Sequence, residues 1–274
     1  MTDIYIAGIA MTVFGRHPER SLEDLAGEAL RGALQDAGCA IRDPGIAYYS
    51  GITNGVLQGQ TSIPGQVVLS KLGLEDIPIY NVENACASGS SAVNLAVQSL
   101  KAGTTDVALA IGAEKMNIAD KQKAFTVFDG AWDVARAHEN YQMLLRMGEG
   151  VAVPPGSESD KPYSRFMAIY AALCRLHMKT FGTSQRQIAA VSAKNHAHSV
   201  HNPLSQFRKP FSVDEILAAP PITFPLTLPM CAPLSDGAAA AILCTDEGLQ
   251  RIGADRSRCV RILTQREQIG RAHV

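Results

Sequence analysis

The residue in this chain best placed to do covalent chemistry is Cys86. It stands in Tyr80-Asn81-Val82-Glu83-Asn84-Ala85-Cys86-Ala87-Ser88-Gly89-Ser90-Ser91-Ala92. An apolar run from Ile77 to Val82 predicts a short buried strand, and the small residues after it lead into a helical pattern that stops at Gly103. Cys86 therefore falls where a strand hands over to the first turn of a helix. Unpaired N–H groups and the positive end of the helix dipole gather at such a point, and both favour a thiolate over a thiol. The Gly and Ser cluster lets a substrate approach the backbone, so the pattern is that of a nucleophile on a rigid mount.

The elements that must hold this mount are legible on either side of it. From Ala87 to Leu100 no residue is charged, which predicts a helix buried on both sides, as between two sheets. Ile4 to Ala10 reads as the first strand, ending near Met11. Ser21 then caps a helix whose apolar stripe is Leu22, Leu25, Ala26, Ala29, Ala33 and Leu34, with Asp24 completing the cap and Gly38 ending it. A strand is expected over 46–53, a glycine-rich loop over 55–59, a short helix around 65–72 and an apolar strand over 105–112. This alternation is an α/β pattern with a mixed or parallel sheet. It breaks from Lys115 to about Pro229, where polar or irregular segments precede helices over 163–181 and 185–199. It resumes with the buried strand Ala238 to Cys244.

Several other features carry less chemistry. The six cysteines, at 39, 86, 174, 231, 244 and 259, have neither paired nor zinc-ligand spacing, which points to a reducing, cytoplasmic home; Cys231 and Cys244 read as core residues. His196, His198 and His201 have no carboxylate or cysteine beside them, and positions i and i+2 do not share a helical face, so no metal is expected. A net charge of −1 gives no reason to expect nucleic acid or an anionic membrane, and no apolar run approaches the roughly 20 residues of a membrane span. The N-terminus enters a strand without a signal-peptide core.

Three segments carry a family resemblance. Asn84-Ala-Cys-Ala-Ser-Gly-Ser90 resembles the nucleophile motif of the thiolase superfamily, Gly112-Ala-Glu-Lys-Met116 resembles thiolase Gly-Gly-x-Glu-x-Met, and Ser235-Asp-Gly-Ala-Ala-Ala240 resembles thiolase Ser/Asn-Asp-Gly-Ala-Ala-Ala. The region from Tyr163 to Arg208 is most similar to the sterol-carrier-protein-x and lipid-transfer branch. The resemblance implies a layered α/β thiolase fold, with residues 1–114 and 230–250 forming the N-terminal domain and 115–229 an inserted, mostly helical loop domain. It implies Cys86 as the nucleophile that takes an acyl group from an acyl-CoA, with coenzyme A as substrate and no further cofactor. Arg208 and Lys209 would meet the coenzyme A phosphates. Ala232 stands where biosynthetic thiolases often have a pantetheine-contacting serine, a departure that favours the lipid-oriented branch. The strand over 79–85 would pair across a twofold axis in a homodimer.

The same resemblance exposes what is not there. The Asn or His loop, the Gly-His-Pro-like loop and the Cys-x-Gly-like loop of a thiolase second half do not occur. Residues 259–274 are expected to open that half, with Arg258 to Gln265 as its first strand. The tail Ile269-Gly-Arg-Ala-His-Val274 can be written ATC GGA AGA GCA CAC GTC, similar to a sequencing-adaptor read-through, so a truncated reading frame is expected. Such a fragment holds the nucleophile but turns over poorly or not at all. A two-chain enzyme whose partner supplies the second half is the alternative. Two rival activities also fit: a thiolase-fold retro-aldolase acting on steroid side-chain thioesters, and a non-catalytic acyl-CoA-binding subunit.

Overall fold

The structure is a computed structural model that describes residues 2–265. In chain order the elements begin with β1 (Tyr5–Met11), α1 (Leu22–Ala37), β2 (Ile46–Ser50), α2 (Asn54–Leu57), α3 (Pro64–Lys71), β3 (Ile79–Val82), α4 (Ser88–Lys101), β4 (Val107–Lys115) and α5 (Lys121–Thr126). There follow α6 (Ala137–Arg146), α7 (Arg165–Phe181), α8 (Gln185–Ser199), α9 (Val213–Leu217) and a small hairpin of β5 (Pro221–Thr223) and β6 (Leu226–Thr227). Last come β7 (Asp236–Cys244), α10 (Asp246–Ile252) and the two-residue β8 (Val260–Arg261). The chain divides into two compact units, one running to Val127 and resuming at Ser235, the other Phe128–Leu234. Boundaries are expected at 114/115 and 229/230; residues 115–127 cluster with the first unit and residues 230–234 with the second.

In the first unit a six-stranded mixed sheet has the order β3-β2-β4-β7-β1-β8. β2 lies parallel to β3 and β4, whereas β7 runs antiparallel to both β4 and β1. Side chains alternate across this sheet. Ala47, Tyr49, Leu109, Ile111 and Ile242 join the buried faces of α1 and α3, while Ile46, Tyr48, Ala108, Ala110 and Leu243 join that of α4. Both faces of the central strands are thus covered, which is why β4 and β7 read as unbroken apolar runs. Each fully buried leucine or isoleucine here contributes about 1.5–3 kcal/mol.

α1 takes the expected form. Ser21 accepts from the Asp24 N–H and Asp24 binds back to the Ser21 N–H, the reciprocal capping box, and Gly38 closes the helix at φ 72°. The helix lies very close to β1, and a methyl group on Gly8 would collide with the backbone nitrogen of Ala37. Only glycine permits that approach.

Four expectations need correction. β2 stops at Ser50 instead of continuing to Thr53, since the next N–H groups are captured by a side chain described below. The glycine-rich segment after it is not a loop throughout but forms α2. β3 is an edge strand with Tyr80 52% exposed, not a buried one. α4 buries one face only: Ser91, Ala92, Ala96 and Leu100 are buried, whereas Gly89, Ser90, Leu95 and Gln98 are exposed. Of the strand expected over 258–265, two residues pair with β1, and the 266–274 tail lies outside the described residues.

The second unit is mainly helical. Ser164 caps α7, Ser184 and Gln187 form a capping box on α8, and Trp132 stacks on Phe166 with ring centroids 5.2 Å apart.

Candidate active site around Cys86

Cys86 is exposed, one turn after the end of β3 and two residues before α4. The turn that presents it is tightly tied. Ala85 has φ 46°, a left-handed conformation that costs a non-glycine residue about 1–2 kcal/mol. The groups on both sides of Ala85 are held: its N–H donates to Glu83 Oε1 at 2.7 Å, and its carbonyl accepts from both the Ser88 hydroxyl at 2.7 Å and the Ser88 N–H at 3.1 Å. The Ser88 oxygen also accepts from the Asn84 N–H at 2.8 Å, and Asn84 Nδ2 donates to Ser91 Oγ at 2.9 Å. α4 has Ala87 at its N-cap and so no side-chain cap, which leaves its first turn open to an incoming anion or carbonyl oxygen. An exposed thiol beside an uncapped helix start is suited to attack on a carbonyl and to support of the resulting oxyanion.

Two carboxylates, Glu114 partly buried and Asp236 fully buried, tie the loops that follow β1, β2 and β4. Glu114, at the end of β4, accepts from the N–H groups of Ile52 at 2.5 Å and Thr53 at 3.1 Å and from the Thr53 hydroxyl. Burial raises its carboxyl above the ordinary value, and these three bonds offset part of that rise. Asp236, fully buried at the start of β7, accepts from the N–H groups of His17 at 3.0 Å, Met116 at 2.8 Å and Asn117 at 2.7 Å, with Lys115 Nζ at 3.5 Å. Burial pushes the Asp236 carboxyl up, but the N–H bonds of Asn117 and His17 and the charge of Lys115 outweigh it, so the group lies below its ordinary value. Sequence reasoning misses both roles, although each residue sits inside a motif that carries the family resemblance.

Beside the turn, a cavity of about 280 Å³ is lined by Tyr49, Ile52, Asn54, Ile63, Asn81 and Glu83. Asn54 accepts from the buried Tyr49 hydroxyl at 3.0 Å.

The other sequence candidates lie in the second unit. Arg208 and Lys209 are exposed on the segment after α8; Arg208 donates to the Val200 carbonyl at 3.3 Å and the Lys209 ammonium stands 4.9 Å from the Phe211 ring centre. Ala232 is exposed, just past a turn whose Pro229 carbonyl binds Ser192 Oγ at 2.8 Å and His196 Nε2 at 3.0 Å. That bond gives His196 a packing role, while His198 and His201 are exposed at the end of α8. Among the described residues no group of three or more His, Cys, Asp or Glu side chains could hold a metal ion, and no helix is long and apolar enough to cross a membrane.

Comparison with known proteins agrees with this architecture. The family model for the thiolase N-terminal domain matches residues 4–217. Non-specific lipid-transfer protein-like 2 of Caenorhabditis elegans is 34% identical over 263 residues, which is 95% of this chain and 60% of that protein. Acetyl-CoA acetyltransferase of Methanothermobacter thermautotrophicus is 32% identical over 246 residues, 89% of this chain and 57% of that protein. Among solved structures, the Ltp2-ChsH2(DUF35) aldolase shares the fold at a TM-score of 0.65 and 22% identity, covering 90% of this chain and 57% of that one. The chain thus spans somewhat over half the length of these relatives. With the nucleophile motif on an exposed strand-to-helix turn, the layered α/β sheet, and a thiolase N-terminal model matched from Ile4 to Leu217, the chain belongs to the thiolase family.

Proposed function

We propose that the chain carries the nucleophilic half of a thiolase-type acyltransferase. The observation that supports this most is the exposed Cys86 at the uncapped start of α4, behind a pinned left-handed residue. The Cys86 thiolate attacks the thioester or 3-oxoacyl carbonyl of an acyl-CoA, the carbon–sulfur or carbon–carbon bond to the leaving group breaks, and an acyl-cysteine remains. Coenzyme A, or a second acyl-CoA in the condensing direction, then takes the acyl group. Coenzyme A is substrate in this scheme, and no other cofactor enters. Arg208 and Lys209 are suited by charge to the coenzyme A phosphates, with Ala232 beside the pantetheine arm.

The acid and base that complete turnover are assigned to a second half, supplied by a longer chain or by a partner subunit. The exposed face of α4, which carries no charge from Gly89 to Gln98, supports such a cover. The edge position of β3 and its exposed Tyr80 support a homodimer formed along this strand.

The rival reading is an aldolase that cleaves a carbon–carbon bond without a covalent cysteine, and the likeness in fold to the Ltp2-ChsH2(DUF35) aldolase favours it. Cys86→Ala separates the two. In the gene product taken at the full length of its reading frame, thiolytic cleavage of a 3-oxoacyl-CoA falls to background in this variant under our reading. Retained carbon–carbon cleavage in Cys86→Ala would put the aldolase first.

A further inference from the structure

We infer that the Ser88 hydroxyl is the positioning residue for Cys86, acting as a clamp that holds Ala85 left-handed. The inference rests on Cys86 as the nucleophile but not on the substrate it serves.

Ser88 is 5% exposed, so its hydroxyl is withheld from water and committed to the protein. It makes two bonds at once, accepting from the Asn84 N–H at 2.8 Å and donating to the Ala85 carbonyl at 2.7 Å. Those two groups flank the Asn84–Ala85 unit, and the closed ring they form spans the chain immediately before Cys86. A hydroxyl is needed because the position must accept and donate together. Alanine at 88 would do neither and would leave the Asn84 N–H without its acceptor. Ala85, at φ 46°, has no intrinsic preference for its conformation. With the hydroxyl gone only the Glu83 carboxylate and the Ser88 N–H still tie Ala85; it can then swing to negative φ, and the Cα–Cβ direction of Cys86 turns with it, away from the open helix start. The family motif contains this serine, yet nothing in its spacing tells a helix-cap serine from a turn clamp. The distinction comes from the structure: Ala87 occupies the cap position, and Ser88 bonds backward to the turn.

Removing the clamp affects one kind of chemistry more than another. Acylation needs the thiolate and the carbonyl oxygen placed together, with the oxygen against the helix start. Alkylation by iodoacetamide is a displacement at carbon with no oxyanion to support. The test compares the two rates at Cys86, mapped by peptide mass, using p-nitrophenyl thioacetate as acyl donor and iodoacetamide as alkylator. In the acylation the Cys86 thiolate forms a new thioester to the acetyl carbon and p-nitrothiophenolate departs.

In Ser88→Ala, acylation falls at least tenfold relative to alkylation. In the double variant Ala85→Gly/Ser88→Ala most of that loss is recovered, because glycine adopts the left-handed conformation without a clamp. A merely structural role for Ser88 would slow both reactions alike and would not respond to glycine at 85. Equal loss of both rates, or a selective loss that glycine fails to restore, overturns the inference. Should Ser88→Ala not fold, amide hydrogen exchange on the unaltered chain decides. Slow exchange at Asn84 N–H supports the clamp, and exchange at the rate of an open amide overturns it. None of these outcomes depends on coenzyme A turnover, so the clamp and the acyltransferase reading can fail separately.

Discussion

Asp236 accepts the backbone N–H of Met116 at 2.8 Å across 120 positions of sequence. Asp236 belongs to the Ser-Asp-Gly-Ala-Ala-Ala segment and Met116 to the Gly-x-Glu-x-Met segment, so two motifs that look independent are one structural joint. The joint also takes in the loop after β1, through the His17 N–H on Asp236 Oδ2 and the His17 carbonyl on Lys115 Nζ at 2.5 Å. It fixes the end of β4, from which Glu114 reaches the turn after β2.

Asp236→Asn should therefore be costly. Asparagine keeps one acceptor oxygen but turns the other into a donor that faces the His17 N–H, and it leaves Lys115 without its counter-charge. Breaking a buried pair in this way costs about 3–5 kcal/mol. Denaturant melts of the variant and the unaltered chain read the loss directly. A change under about 1 kcal/mol would mean that the joint is not under load.

The same carboxylates set a pH dependence with two opposed signs. Asp236 has a depressed folded pKa, so its contribution is complete above the unfolded value of about 3.9 and is lost as pH falls from there through the folded value. Glu114 has a raised folded pKa, so its ionised form burdens the fold at neutral pH and the burden lifts as pH falls through that value. Thermal melts from neutral to acid pH should show stability gained or level at first and lost below about pH 4. In Asp236→Asn the acid loss should be shallower. An equally steep loss in that variant would assign it elsewhere.

The exposed edge of β3 leads to a prediction about assembly. Tyr80 stacks on Tyr48 with ring centroids 5.5 Å apart, and half of its surface remains open. In the proposed homodimer, two copies of Tyr80→Asp would bring like charges onto paired edge strands, which destabilises the pairing. Sedimentation should move from dimer toward monomer in the variant. A variant with the sedimentation of the unaltered protein would remove this strand from the interface.

What is legible in the sequence is chiefly local. Ser21, Asp24 and Gly38 announce α1 because caps are made by neighbours within a few residues, and α1 begins and ends as they indicate. The strand-to-helix position of Cys86 follows from the switch in apolar spacing. The end of β2 is not legible, since the residue that captures the Ile52 N–H is Glu114, 62 positions away. The left-handed Ala85 is equally hidden, because alanine does not advertise that conformation as glycine would. For α4 the absence of charge predicts cover on both faces, and only one is covered in this chain. The pattern reports the surroundings the helix is suited to, not those this length of chain supplies.

The proposed chemistry turns on an acyl group reaching Cys86. The most direct measurement is intact-mass spectrometry of the gene product, taken at the full length of its reading frame, after brief exposure to acetyl-CoA or acetoacetyl-CoA. Peptide mapping would follow, with Cys86→Ala run beside it. A single added acetyl group on the peptide that contains Cys86, absent from the variant, is the predicted result. A folded protein that gains no acetyl group, or gains it equally in Cys86→Ala, would contradict the acyl-cysteine mechanism.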